Sequence, residues 1–414
     1  MSKHHHHQES TVVTQRVDEV GSLGELFDQC LPAFGGAVLR RIYQILDTAI
    51  GRGCPMTLAI AGPVTVSDQH RTWLNPLLET GWIAYLSTTD AVCYHDGHRA
   101  LDGHSQPIFA VPANGDDKAL RDEGTIRVFD MGFAEEVLFE QDRFITACLR
   151  RPEFQRKMSG TEFRHLLGAC YAAQEKENGV TPGLLATCHR LAIPILVGAP
   201  SDGSAFLNSM KLWAMREAGL LDHRFELDLH AEVFESCAYH HWGLFDEPVH
   251  ALATLILGGG VPKNFNLQPE PALSQIFGLT DATGYAFDVQ IVSAPVTDGS
   301  LSSCPPAEAV TWGKVDKDTY TQTTESLQGD FSALMPFVVR ALLENRGRYE
   351  KWREKMGDEA LFAKHPKARG YLRPRDGYRL YEKRGALTAK LLARVKEQSA
   401  FLKTTLDYPL AIAK

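Results

Sequence analysis

The stretch ATLILGGG at residues 253–260 is a short apolar run that ends in three glycines. Such a run, closed by glycine, is typical of a buried β-strand followed by a tight turn. Similar runs recur along the chain and alternate with stretches of helical periodicity; they are MTLAIAG at 56–62, GWIAYLSTT at 81–89, AIPILVGAP at 192–200 and YAFDVQIV at 285–292. This alternation predicts an α/β fold whose mostly parallel sheet carries helices on both faces.

Small polar or glycine-rich loops follow these predicted strands. The loops are STTD after Leu86, SDGS after Ala199, GGG after Leu257 and DGSLSS after Val292. Parallel sheets of this kind bind ligands outside the carboxyl ends of their strands, so these loops are candidate ligand contacts. Three glycines would let a phosphate or cofactor approach the backbone. The triplet lacks the GxGxxG spacing, however, and a tight turn without a ligand is an equal alternative.

Composition sets the class of protein. The chain has 414 residues, of which 44% are hydrophobic and 23% are charged, as is typical of a globular protein. No run of apolar residues is long enough to span a membrane, and no signal-peptide pattern is present, so we expect a cytoplasmic protein. The 8 cysteines stand singly, which predicts reduced thiols.

Charge is distributed unevenly along the chain. The net charge is -8, yet residues 346–403 hold 17 basic and only 7 acidic side chains. An acidic body suits cationic substrates. The basic C-terminal part could form a solvated helical surface, or it could contact nucleic acid, an acidic partner or the protein's own body.

The segment DGSLSSCPPAEAVTWGKVD at 298–316 carries the most chemistry. A lysine acts as a nucleophile or forms an imine only when its amine is at least partly neutral, which burial can achieve. Trp312 could supply an apolar wall beside Lys314 and bind an organic ammonium through its ring, while Glu308 and Asp298 offer carboxylates. A solvent-exposed surface lysine is the alternative.

Histidines suggest a metal site only weakly. The segment YHDGH at 94–98, with His104 nearby, could ligate a metal, but no further motif completes a ligand set. A polar pocket wall is the alternative, and His95 could then contact an amine. The run His4 to His7 is typical of an expression-tag remnant. We therefore expect no metal.

Several segments together resemble the deoxyhypusine synthase family. The block VTDGSLSSCPPAEAVTWGKV follows the family's active-site pattern without a gap, and LILGGGVPKNFNLQPEPAL is similar to its glycine-rich segment in the bacterial, deoxyhypusine synthase-like or homospermidine synthase-like branch. PILVGAPSDGSAFLN and ALRDEGTIRVFD resemble two further blocks.

The resemblance implies a Rossmann-like homotetramer that binds NAD and has active sites at dimer interfaces. It implies that Lys314 forms a covalent imine with an aminobutyl group taken from spermidine. The resemblance implies that Glu308 and Trp312 contact the polyamine, and we predict further substrate contacts at Asp298, Asn264, Lys263, Asn208 and His95. Cofactor contacts implied by the resemblance are Gly258, Gly259, Asp202, Ser293, Ala294, Ser302 and Asp330, with Thr88 and Thr89 on a Thr-Thr segment near the cofactor. We predict Gly260 and Ser300 as further cofactor contacts.

The chain also departs from the family pattern. Asn264 stands where protein-modifying members have a histidine, and Leu301 stands where an acidic residue is expected. STTDAV stands where the family has a Thr-Thr-Ala-Gly-Gly stretch near the cofactor, so Asp90 follows the threonine pair, and GPVTVSD at 62–68 matches the family's cofactor loop weakly. These departures indicate an altered amine pocket.

Together these features predict NAD-dependent aminobutyl transfer from spermidine to a small amine such as putrescine, which would form homospermidine. The alternatives are modification of a protein lysine, or polyamine or nucleotide binding without catalysis. We expect an N-terminal lead-in at 1–34, a catalytic NAD-binding domain at 35–345 and a basic C-terminal extension at 346–414. Nucleic-acid binding by that extension stays open.

Overall fold

The computed structural model describes residues 14–101 and 108–407. Within them the strands are β1 (Met56–Ile60), β2 (Ile83–Thr88), β3 (Phe109–Ala110), β4 (Thr125–Val128), β5 (Met131–Ala134), β6 (Lys157–Ser159), β7 (Ile195–Val197), β8 (Glu226–Asp228), β9 (Ala253–Leu257), β10 (Phe287–Val292) and β11 (Thr324–Gln328). His4 to His7 and His104 lie outside the described residues.

Helices fill most of the intervening sequence. They are α1 (Leu23–Cys30), α2 (Phe34–Arg52), α3 (Asn75–Leu78), α4 (Asp90–His95), α5 (Asp117–Asp122), α6 (Glu136–Leu149), α7 (Gly160–Asn178), α8 (Leu184–Leu191), α9 (Ser204–Glu217), α10 (Leu229–Phe245), α11 (Gly260–Leu267), α12 (Pro269–Pro271), α13 (Pro306–Ala309), α14 (Tyr320–Thr323), α15 (Phe331–Met356), α16 (Asp358–Lys364), α17 (Ala368–Tyr371), α18 (Leu380–Glu397) and α19 (Ser399–Thr404). Short 3₁₀ and π segments join several of them.

The main sheet has six strands in the order β11-β10-β9-β1-β2-β7, and every pairing in it is parallel. The strands β1, β2, β9 and β10 are buried along their whole length, which explains their continuous apolar sequences. The predicted parallel α/β fold is therefore confirmed. Two small sheets, β3-β5-β4 and β6-β8, lie outside it.

The two faces of the main sheet differ in chemistry. One face packs the largest apolar core, with Leu58, Leu255 and Ile291 among its members. The other face is partly polar, because Tyr85 and Tyr285 are fully buried there and their hydroxyl oxygens lie 3.0 Å apart. Such buried polar groups require partners close by, and the candidate site lies on this polar side.

The C-terminal part folds onto the body. Helix α15 begins at Phe331 and ends at Met356, within the basic part of the chain. Beyond it, α18 packs along α10, and Leu380 and Leu391 are fully buried. Among the described residues, no helix is long and apolar enough to cross a membrane.

Candidate active site

A cavity of about 800 Å³ opens beside the loop that follows β10. Three parts of the chain form it: the loop itself, the region from α11 to the π segment Ala272–Ile276, and one face of α10. The predicted substrate residues that line it are Lys263, Asn264, Asp298, Glu308, Trp312 and Lys314. The fold thus brings together six of the side chains selected from sequence.

Backbone contacts fix the position of Lys314. Proline starts α13, a 3₁₀ turn follows at Val310–Trp312, and Gly313 then takes φ 74°, a left-handed conformation that favours glycine. The Lys314 amide donates to the carbonyl of Ala309 at 3.1 Å, and its carbonyl accepts from the amide of Tyr285 at 2.9 Å. The lysine is therefore anchored to the segment that leads into β10.

The environment of Lys314 favours its neutral amine. Its side chain is half-buried, and this burial lowers the pKa of Lys314, while Cys304 and Glu270 oppose the decrease. The Trp312 side chain stands at the rim and is 62% exposed. A lysine with a lowered pKa, placed in an open cavity, can attack an electrophilic carbon.

Lys263 forms the floor of the cavity rather than its mouth. The residue is 2% exposed, and its Nζ donates to Oε1 of Gln290 at 2.8 Å and to the carbonyl oxygen of Cys304. Burial lowers the pKa of Lys263, against the opposing charge of Asp288. Its ammonium group is thus committed to protein partners beneath the site.

The loop at 298–304 is held by its own polar groups. The Ser300 hydroxyl donates to Oδ2 of Asp298 at 2.6 Å, and the Ser303 hydroxyl donates to the Asp298 carbonyl at 2.6 Å. Ser302 lies 2.7 Å from Ser300, oxygen to oxygen. Leu301 lines the cavity, so an apolar side chain occupies the position where a carboxylate was expected.

A second cavity, of about 430 Å³, lies at the carboxyl ends of β1, β9, β10 and β11. Gly258, Gly259, Ser293 and Asp330 line it, together with Gly62, Pro63 and Val64 from the segment GPVTVSD. Gly259 has φ 25°, and a Cβ there would lie 2.4 Å from Cβ of Ala61. The chain needs glycine at this position, and the bare backbone is open to a ligand.

Other predicted cofactor residues lie between or beyond the two cavities. A Cβ on Gly260 would stand 3.4 Å from the amide nitrogen of Ser302, which places Gly260 beside the loop of the first cavity. Ser300 lines that first cavity. Ala294 directly follows Ser293. The Thr88 hydroxyl is buried and donates to the carbonyl of Ile60 at 2.8 Å.

Asp90 has a structural partner. Its carboxylate accepts from the amide of Ala205 at 2.9 Å, at the first turn of α9, and burial raises the pKa of Asp90 to about 6. Thr89 directly precedes α4, and Asp202 is exposed in the turn before α9. Thr88, Thr89 and Asp202 thus line neither cavity.

Two predicted substrate contacts lie at a distance from Lys314. Asn208 is 5% exposed and donates to Oδ1 of Asp142 at 2.7 Å. Nδ1 of His95 lies 3.0 Å from Nε2 of His98, and burial lowers the pKa of both histidines. Neither Asn208 nor His95 lines either cavity.

The segment at 94–98 serves packing. The buried carboxylate of Asp96 accepts from the amides of Leu184 and Leu185 at 2.8 Å each, and it lies 3.0 Å from Nε2 of His70. The Asp96 carboxylate therefore caps the N-terminus of α8. In the described ranges, no group of three or more histidine, cysteine or acidic side chains could hold a metal.

Sequence reasoning missed several residues at the site. Gln290 and Cys304 hold Lys263, and the buried carboxylate of Glu270 stands behind Lys314. One feature of the sequence could have pointed to Glu270. In the segment QPEP at 268–271, this acidic residue stands between two prolines, shortly after the glycine loop.

Comparison with known proteins places the chain in a family. Residues 23–342 match the family described as Deoxyhypusine synthase. A deoxyhypusine synthase-like protein of Nostoc sp. is 36% identical over 78% of this chain and 81% of its own length. One from Cyanothece sp. is 36% identical over 74% and 77%.

More distant relatives carry related names. A probable deoxyhypusine synthase 2 of Methanosarcina mazei is 28% identical over 78% of this chain and 87% of its own length. A solved structure of a proposed deoxyhypusine synthase from Entamoeba histolytica has 12% sequence identity and a TM-score of 0.46, and the match covers 79% of this chain and 94% of that one. By its extended match and its bacterial relatives, this chain belongs to the deoxyhypusine synthase family of transferases.

Proposed function

We propose that the protein transfers an aminobutyl group from spermidine, through an imine on Lys314, to a small amine such as putrescine. The product would be homospermidine. The observation that supports this proposal most directly is the half-buried Lys314 in a cavity that also holds two carboxylates and an aromatic ring.

The cavity suits an elongated cation. Glu308 and Asp298 can receive the ammonium ends of a polyamine, and the face of Trp312 can attract a further positive charge. These contacts would orient the chain of the donor across the Lys314 amine. The amine would then attack the carbon of the oxidised donor, form an imine and release the remaining diamine as the leaving group.

The second cavity suits NAD. Its bare backbone at Gly258 and Gly259 suits a pyrophosphate, while Ser293 and Asp330 offer polar contacts at the strand ends. When bound, NAD would supply a hydride acceptor for the donor amine and return the hydride to the final imine. Gly260, Ser302 and Ala294 lie at the same edge of the sheet. Thr88, Thr89 and Asp202 line neither cavity, so we assign them no direct contact with NAD.

Two side chains favour a small acceptor. Leu301 presents an apolar wall, and Asn264 supplies an uncharged amide where a histidine would otherwise face the substrate. A short diamine whose methylenes pack on Leu301 fits this lining. Modification of a protein lysine is the second candidate, and the extended family match supports it. A binding protein without redox activity is the third.

We also propose that a second copy of the chain covers the cavity within a homotetramer. The exposed apolar rim supports this, because Ile276 and Val296 are each 65% exposed beside Trp312. Monomers rarely expose such clustered apolar side chains.

The test is borohydride trapping with labelled spermidine and NAD. Wild type should carry label on Lys314, and Lys314→Ala should carry none. With putrescine added instead of borohydride, chromatography should show homospermidine. No label on the wild-type protein would contradict catalysis, equal label on the variant would contradict Lys314, and label on a protein acceptor without homospermidine would favour the second candidate.

A further inference from the structure

A buried carboxylate stands directly behind the candidate imine lysine. Glu270 is 2% exposed, and its Oε2 has no hydrogen-bond partner among the described residues. A Cβ on Gly313 would lie 3.0 Å from that oxygen, so the carboxylate rests against the residue that precedes Lys314. A buried carboxylate oxygen without a partner is costly, and its presence beside a reactive group calls for a functional reason.

Gly313 makes this approach possible. Its φ of 74° is left-handed and it carries no side chain, so the Glu270 carboxylate can approach the backbone next to Lys314, whose side chain lines the cavity. The prolines that flank Glu270 hold α12 in place between the glycine-loop helix and the π segment. The backbone at Glu270 is therefore restricted by a proline on each side.

The other titratable groups around Lys314 are less suited to take its proton. Lys263 is itself a cation and is bound to Gln290 and Cys304. Burial raises the pKa of the Cys304 thiol. Glu308 and Asp298 line the open cavity, where the ammonium groups of a substrate would occupy them. Asn264 cannot accept a proton at neutral pH.

From α10, Cys237 lines the cavity, and burial raises the pKa of its thiol to about 12. Of the titratable groups near Lys314, Glu270 therefore remains as the candidate proton acceptor. Burial raises the pKa of Glu270 to about 7, against the opposing effects of the Ser274 side chain and Lys314. A carboxyl group in that range can both accept and return a proton at neutral pH.

We infer that Glu270 is a positioning residue that shares a proton with Lys314, taking it before the amine attacks and returning it when the imine is released. This inference rests on the proposed function for the imine chemistry. The transfer is balanced: the Lys314 ammonium loses one proton to become an amine, and the Glu270 carboxylate gains it to become a carboxylic acid. No other reactant is needed.

The two side chains interact electrostatically without a direct ion pair in the described part of the chain. The transfer that we infer therefore requires the Lys314 side chain to turn toward Gly313, where the Glu270 carboxylate lies. Glu270→Gln keeps the size and polarity of the residue but cannot accept a proton. The substitution therefore tests the proposed proton transfer without changing the packing around residue 270.

The experiment measures the pH profile of Lys314 in two ways. Competitive acetylation with acetic anhydride, read by mass spectrometry, gives the pKa of Lys314 without any substrate. Borohydride trapping with spermidine and NAD gives the rate of imine formation. In Glu270→Gln the pKa of Lys314 should fall, because a neighbouring negative charge is lost. The imine rate should nevertheless fall at least about tenfold, because the proton acceptor is gone.

Control variants separate this effect from general damage. Glu175 is 1% exposed, and burial raises its pKa to about 8, so Glu175→Gln is a matched change that should alter neither profile. Glu270→Asp should restore part of the imine rate. An unchanged pKa of Lys314 in Glu270→Gln overturns the inference, and so does a lower pKa with an undiminished imine rate. If wild type forms no imine, the proposed function fails, and the acetylation profile alone still decides whether the two groups share a proton.

Discussion

At the scale of single residues, Asp288 is a carboxylate buried on β10, next to the edge strand of the main sheet. It is 0% exposed, and neither carboxylate oxygen has a hydrogen-bond partner among the described residues. Burial raises the pKa of Asp288 to about 7, although the charge of Lys263 opposes this. The folded protein therefore keeps a proton on Asp288 at pH values where the unfolded chain has released it.

This shift predicts a pH-dependent stability. Because the folded-state pKa is raised, the free energy of unfolding should fall as the pH rises from about 4 to about 7. Asp288→Asn removes the titrating group, so its stability relative to wild type should be higher at pH 8 than at pH 5, by about 1–4 kcal/mol. Urea denaturation at both pH values measures this. The exposed Asp222→Asn is the control, and an equal difference at both pH values would count against the prediction.

Site residues that belong to a local sequence pattern were predictable, whereas residues whose role depends on packing between distant segments were not. Lys314, Glu308 and Trp312 follow a local pattern with fixed spacing, and the fold brings them into one cavity. The roles of Glu270 and Asp288 depend on burial, which arises only when distant segments pack. Asp90 shows the same limit, because its partner Ala205 lies far along the chain.

At the scale of elements, the central strands were predictable because both of their faces are buried. Strand β11 was not predicted, since TESLQ at the edge of the sheet is only half-buried and its sequence is mixed. Helix α18 was predicted as part of a basic segment. The face of α18 that packs against α10 was not predicted, because the helix has few apolar residues and many charged ones.

Helix α18 should contribute strongly to stability through Leu391. This side chain is 0% exposed and belongs to a cluster with Cys237 and Leu273, behind the wall of the first cavity. Leu391→Ala should lower the free energy of unfolding by about 2–5 kcal/mol. The neighbouring Leu392 is 57% exposed, and Leu392→Ala should cost under about 0.5 kcal/mol. Denaturant titration compares the two, and similar losses would show that α18 does not dock.

At the scale of the whole molecule, the basic C-terminal part and the acidic body contact each other. Arg384 lies 3.3 Å from Glu162 and 3.5 Å from Glu235, and Arg394 lies 3.0 Å from Asp281. Part of the charge imbalance seen in the sequence is therefore neutralised within the fold.

Assembly of several copies is also a property of the whole molecule, and the apolar rim of the first cavity, with Ile276, Val296 and Trp312, is exposed in the single chain. If a second copy covers this rim, Ile276→Asp should reduce the molar mass measured by light scattering, since a charge would be buried in the contact. Imine trapping on Lys314 should fall with the mass, because the cavity would then stay open to water. Leu392→Asp, on the outer side of α18, should leave both measurements unchanged. If Ile276→Asp keeps the wild-type mass, the rim is not the contact between copies, and the cavity of one chain is complete by itself.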